Sequence, residues 1–214
     1  MRYKKQVNKD LYFQDSYLSF PRWCSYWHQI QETTNLDISS ILEIGPGNNI
    51  VSSTLKSMGY DIKTLDIDEK INPDYIDDIT NPKKIHKKKF DLIIACQILE
   101  HLKYEDALLA LKNLSDISQK YIIVSLPIFN RFEINFSFKG LGINFKKAFH
   151  FNKPFNAPEH KFNGQHYWAI GKKKYSLNKV REDILKNENL VLKKEFRPFE
   201  KSNHYFFILQ KNTN

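Results

Sequence analysis

Ile41-Leu42-Glu43-Ile44-Gly45-Pro46-Gly47-Asn48-Asn49 decides how this chain is read. An apolar run is broken by two glycines one residue apart, and the helix-like stretch Ile50 to Met58 follows. That is the pattern of a buried strand turning through a glycine loop into a helix, the opening unit of a nucleotide-binding α/β sheet. The reasons are local. Gly45 permits a tight turn, Gly47 removes a Cβ where a ligand would lie against the peptide plane, and the helix start presents unpaired N–H groups. A tight turn with no ligand is the plainer alternative.

Downstream, Asp61 to Asp66 alternates as a short strand and ends in an acid. The acid lies about 20 residues beyond the glycines, the spacing at which a carboxylate meets ribose hydroxyls. Asp68 and Glu69 read as solvent-exposed residues at a helix start. Asn72 to Thr80 reads as a short edge strand ending in Asp78-Ile79, or as a plain turn rich in aspartate and asparagine. Phe90 to Cys96 is a nearly continuous apolar run, the mark of a central parallel strand covered on both faces. Tyr104 to Ser118 repeats apolar residues at helical spacing, and Lys120 to Pro127 is a second buried strand stopped by its proline. Ser176 to Asn187 reads as a helix, Leu190 to Phe196 as a strand, and Tyr205 to Gln210 as its partner. Strands alternating with helices predict a parallel sheet with right-handed crossovers.

Glu43-x-Gly-x-Gly resembles the first motif of class I S-adenosylmethionine-dependent methyltransferases, with Asn48-Asn49-Ile50-Val51 where a dinucleotide fingerprint carries its third glycine. Phe90 to Leu102, ending in Leu99-Glu100-His101, closely resembles the fourth-strand motif of the subgroup often called type 11. The resemblance covers residues 21 to 127 by motif and the remainder by architecture. It implies a Rossmann-like α/β fold, a mostly parallel seven-stranded sheet with an antiparallel C-terminal strand pair and helices on both faces. It also implies S-adenosyl-L-methionine as cofactor. Gly45, Pro46, Gly47 and Asn48 would pack on its methionine part, with Glu43 ordering the loop and receiving the ammonium end. Asp66 would accept from the ribose hydroxyls, Ile67 would lie on the adenine face, and Asp78 and Ile79 would form the rest of the adenine site. Cys96 and Gln97 would face the methyl group. Arg22 or Tyr26, on a helix before the first strand, would touch the cofactor's carboxylate or wall the pocket. The stripe Trp23, Tyr26, Trp27 and Ile30 on that helix is otherwise expected to pack on the sheet.

Several chemistries are excluded. No Asn/Asp-Pro-Pro-aromatic turn of the enzymes that methylate base amino groups follows the fourth strand. Ala95 stands where cytosine-carbon methyltransferases need proline before their cysteine, and no Gly-Lys-Ser/Thr follows the first glycines. Two cysteines among 214 residues make neither a disulfide framework nor a four-ligand zinc site. They fit a reducing, cytoplasmic setting. The start Met1-Arg2-Tyr3-Lys4-Lys5 is followed by no apolar core, and the apolar runs fall far short of a membrane span, so a soluble protein with no membrane partner is expected.

The length suits a single domain. Its parts are an N-terminal cap region (1–38), a cofactor-binding core (39–127), a substrate-side insertion (128–170) and a C-terminal helix and strand pair (171–214). In the insertion, phenylalanines from Phe129 to Phe162, Phe155 among them, are interleaved with Lys, Asn and Gly without sustained period. A long insertion of this kind commonly carries function. Its end holds His160 and His166; their spacing fits no helical metal pair, and no third ligand is evident. A proton-handling role is preferred, with His166, His160 and His101 as candidate bases for a hydroxyl acceptor and His166 leading. Each also has a purely structural reading. The expected partner is a small polar or anionic acceptor, an oxygen of a sugar-like or phosphorylated metabolite being the favoured site. A net charge of +9 with several lysine clusters keeps RNA methylation as an alternative. A cofactor-binding protein with no chemistry of its own is the third reading.

Overall fold

The computed structural model describes residues 3, 9–15, 17–130, 132–140, 142–151 and 157–212. Phe155 and much of the segment before residue 9 lie outside the described residues. The strands are β1 (Ser40–Ile44), β2 (Asp61–Asp66), β3 (Tyr75–Ile76), β4 (Phe90–Cys96), β5 (Ser118–Pro127), β6 (Phe132–Gly140), β7 (Ile143–Phe151), β8 (Leu190–Phe196) and β9 (His204–Lys211). The helices are α1 (Phe20–Thr34), α2 (Ile50–Ser57), α3 (Tyr104–Ile117) and α4 (Leu177–Leu185). Seven strands form one sheet in the order β3-β2-β1-β4-β5-β9-β8, and β6 pairs with β7 separately. The sheet is parallel except at β9, which runs antiparallel to both β5 and β8. This is the expected mixed sheet with its antiparallel C-terminal pair.

Its strands are apolar at consecutive positions because both faces are covered. Leu42, Ile44, Leu65, Ile93, Ala95, Ile122, Val124 and Phe207 point to one side, where Ala107, Ala110, Leu111 and Leu114 of α3 and Val180 and Ile184 of α4 meet them. Their neighbours Ile41, Ile62, Leu92, Ile94, Ile123 and Phe206 point to the other, against Val51 and Leu55 of α2 and Tyr26 and Ile30 of α1. Each fully buried side chain of this size is worth about 1.5–3 kcal/mol. Ser176 caps α4 by accepting the Lys179 N–H at 3.2 Å. No helix among the described residues is long and apolar enough to cross a membrane.

Three expectations are corrected. The aromatic stripe of α1 does not all face the sheet: Trp23 and Trp27 are 48% and 56% exposed, while Ser25, Gln29 and Thr33 are buried. The inward face is centred on residues 25, 26, 29, 30 and 33, which places the tryptophans on its outer flank. Asp68 is buried, not exposed: it caps a short 3-10 turn, Glu69–Ile71, by accepting the Lys70 N–H at 3.1 Å. The insertion is not without period, since β6 and β7 form a hairpin in which Ile134 opposes Phe149 and Phe138 opposes Phe145. These apolar residues share one face by the two-residue repeat of a strand. Lys147, opposite Phe136, interrupts the pattern.

Candidate functional site

A cavity of about 340 Å³ opens at the carboxyl ends of β1, β2, β3, β4 and β5, where ligands of open α/β sheets lie. The glycine loop forms one wall. Gly45 has φ +65° and Gly47 φ +56°, and the Gly45 N–H donates to the Leu65 carbonyl at 2.8 Å, tying the turn to β2. A Cβ on Gly47 would come 3.2 Å from the Tyr12 ring, and one on Gly45 would overlap the Ile98 side chain. Asn49, at φ 59°, opens α2 in the left-handed region that asparagine tolerates. Asn48 donates from Nδ2 to the Tyr26 hydroxyl at 3.0 Å, pinning α1 over the loop.

Acids follow in the order of the sheet. Glu43, at the end of β1, is buried with Oε2 unpartnered, and burial pushes its carboxyl up to about 7 against the opposing pull of Ser52. Asp66 ends β2; its Oδ1 accepts the Asp68 N–H at 2.8 Å, and burial raises its pKa above the usual carboxylate range. Burial and the Asp66 charge both raise the Tyr12 hydroxyl beside it. Beyond β3, Asp77 folds the following loop by accepting N–H groups of Lys83 and Lys84, at 3.0 and 2.7 Å on Oδ2. Asp78 accepts from the Thr80 N–H and hydroxyl at 2.9 and 2.7 Å, and Ile79 lines the cavity next to it.

At the centre, beyond β4, Cys96 is a thiol pushed up to about 12 by burial, a wall rather than a nucleophile. Gln97, at φ 58°, donates from Nε2 to the Ser125 hydroxyl at 3.2 Å. His101 and His166 stand edge to face with ring centroids 4.9 Å apart. His101 Nδ1 lies 3.1 Å from the Gln165 carbonyl, a donor position. Burial, followed by the neighbouring His101 and His160, pushes His166 down to about 4, so at neutral pH its ring is uncharged and able to take a proton. Behind them Glu100 is fully buried, with both carboxyl oxygens lacking a hydrogen-bond partner. A Glu100 oxygen and one ring nitrogen from each of His101 and His166 lie within 4.8 Å of one another. His160 does not reach the cavity wall: its Nε2 meets the main-chain oxygen of His166 at 2.8 Å.

The far end is basic. Arg22 lies over the Tyr17 ring at 4.1 Å, and Lys201, from the β8–β9 loop, lines the cavity with it. His204 is 4% exposed and its Nδ1 is 3.0 Å from the Ser25 hydroxyl; burial first, then Lys201 and Arg22, push its pKa down to about 3.

Every cofactor-side residue expected from sequence lines this cavity, from Arg22 and Tyr26 through Glu43, Gly45, Pro46, Gly47, Asn48, Asp66, Ile67, Asp78 and Ile79 to Cys96 and Gln97. His101 and His166 line it too. Sequence reasoning missed Tyr12, Tyr17, Glu100, Lys201 and His204. Of these only Glu100 carried a signal, as the middle of the Leu-Glu-His signature. Its carboxyl is pushed up to about 8 by burial, so from about pH 4.3 upward the unfolded chain loses a proton that the folded chain keeps. Stability contributed at this site therefore falls as pH rises through that window. Relative to wild type, Glu100→Gln should gain stability as pH rises from about 5 to about 9, over a background in which Glu43 acts in the same sense as Glu100 and the uncharged rings of His166 and His204 act in the opposite one. Urea unfolding at about pH 5 and 9 measures it, and the absence of that relative gain would contradict the assignment.

The sequence matches no protein-family model and no curated protein. Solved structures resemble it in fold. One is an S-adenosylmethionine-dependent methyltransferase from Clostridium acetobutylicum, 10% identical, with TM-score 0.59 over 91% of this chain and 92% of that one. Another is the magnesium protoporphyrin IX methyltransferase of Synechocystis, solved with S-adenosylmethionine, 15% identical, with TM-score 0.59 over 98% and 87%. A third is the N-methyltransferase NodS from Bradyrhizobium japonicum, solved with S-adenosylhomocysteine, 10% identical, with TM-score 0.56 over 90% and 88%. At these identities what is shared is the class I methyltransferase fold.

Proposed function

We propose that the protein transfers a methyl group from S-adenosylmethionine to an oxygen of a small polar acceptor, sugar-like or phosphorylated. One observation carries the reading: at a single cavity, strand ends β1, β2 and β3 present in order a glycine cradle, Asp66 and Asp78. The cradle fits the cofactor on steric grounds, because Cβ atoms at Gly45 and Gly47 would crowd Ile98 and Tyr12. It fits on electrostatic grounds as well. The orphaned Glu43 oxygen suits an ammonium group, and the half-buried Asp66 carboxylate suits a ribose diol. The cofactor, when bound, supplies an electrophilic methyl carbon on a sulfonium.

The rest falls to the chain's own residues. Asp78 and Ile79 select adenine, while Tyr26 and Asn48 close the loop from α1. Alignment of acceptor and methyl carbon at about 3–3.5 Å is the main task. An uncharged ring nitrogen of His166 takes the acceptor's hydroxyl proton, with His101 and the buried Glu100 packed behind it.

Calorimetric titration with S-adenosylhomocysteine tests the reading, and saturable binding at one site per chain is expected. A cavity that ignores that compound and binds a nicotinamide or flavin nucleotide would refute it.

A further inference from the structure

Along the carboxyl edge of the sheet the cavity changes sign. Glu43, Asp66, Asp77 and Asp78 sit at the β1–β3 end, whereas the β5–β9 end carries the cations Arg22 and Lys201 beside the uncharged rings of His166 and His204. Arg22 and Lys201 oppose each other's charge, and no carboxylate among the described residues forms an ion pair with either. Arg22 Nε is buried without a hydrogen-bond partner. The acid nearest in sequence, Glu200, is engaged elsewhere: its carboxylate meets Lys146 at 3.1 Å and His28 at 3.6 Å. His204 cannot relieve the excess, because its Nδ1 is committed to Ser25. Two like charges held half out of water without a counter-ion are costly, and the same arrangement becomes favourable once an oxyanion bridges them.

We propose that this end of the cavity is an oxyanion site, and that the methyl acceptor is an anionic molecule whose carboxylate or phosphate sits between Arg22 and Lys201. The inference rests on the methyl-transfer reading, which it sharpens from a sugar-like or phosphorylated acceptor to one whose negative group is held at a defined place, between Arg22 and Lys201. Arg22 supplies a planar fork for two oxygens and Lys201 a point charge. Asn203 and the buried His204 complete the wall.

The test is calorimetry of the full chain with inorganic phosphate and with acetate, each run with and without saturating S-adenosylhomocysteine, on the wild type and on Lys201→Met and Lys201→Arg. One of the two anions should saturate the cofactor-loaded wild type, and the tighter of them names the acceptor's group. Lys201→Met should weaken that anion by about tenfold or more, Lys201→Arg should restore most of it, and affinity for S-adenosylhomocysteine should stay within about twofold in both. Two results overturn the proposal: neither anion binding the loaded wild type, or Lys201→Met weakening S-adenosylhomocysteine instead, which would assign these cations to the cofactor's own carboxylate. Should S-adenosylhomocysteine fail to bind while an anion saturates the free protein in a Lys201-dependent way, the methyl-donor reading falls and the oxyanion site stands.

Discussion

Replacing His166 with alanine should lower methyl transfer by about 10²–10⁴-fold, the worth of a positioned general base. Affinity for S-adenosylhomocysteine should be unchanged, because His166 is not among the residues that hold the cofactor in this reading. The ring is pushed down to about 4, so it is deprotonated throughout the neutral range. The acid limb of the wild-type pH–rate profile should therefore fall near that value, well below the ordinary imidazole range of about 6.5. Alanine should remove the limb as well as the rate. The measurement is turnover against the acceptor that a screen of anionic metabolites identifies, and an unaffected rate would discard His166 as the base.

Replacing Asp66 with alanine should weaken the cofactor by about tenfold to a hundredfold. A charged acceptor contributes about 1.5–3 kcal/mol per hydrogen bond, and every 1.4 kcal/mol is about tenfold in Kd. The same substitution should not destabilise the free protein strongly, because burial already disfavours this carboxylate. Affinity loss without a comparable loss in melting temperature separates ligand contact from structural support. An unchanged calorimetric affinity would rule out the ribose role.

What could be read from the chain follows from how the fold writes itself into it. β4 and β8 were legible to the residue. β4 is covered on both faces and reads as an unbroken apolar run, while β8 is marked by the alternation from Leu190 to Lys193, before its register shifts between Leu192 and Lys194. The cavity-lining residues from Glu43 to Gln97 were legible because each lies at a strand end or in the turn after it, so they follow the strands along the sheet edge, whereas Arg22 and Tyr26 reach the cavity from α1. The basic end was not. Lys201 is one of 33 lysines and arginines, and nothing local marks which of them turns inward. His204 acquires its surroundings only when β9 inserts beside β5 and faces Pro127, a pairing of residues far apart in the chain. The hairpin was hidden by Lys147 within its apolar face and by the absence of an Asn-Gly or Asp-Gly turn. Trp23 and Trp27 misled because helical spacing shows that residues share a face without saying which face the sheet will cover.

A methyl group at position 45 would stand 2.1 Å from the Ile98 Cδ1 atom, so the space left by one missing side chain is filled by a residue from the segment after β4. The Gly45 turn and the segment that leads to His101 are thus meshed like two teeth. Any side chain at position 45 would have to displace Ile98 first, so the turn and the segment after β4 can only change together.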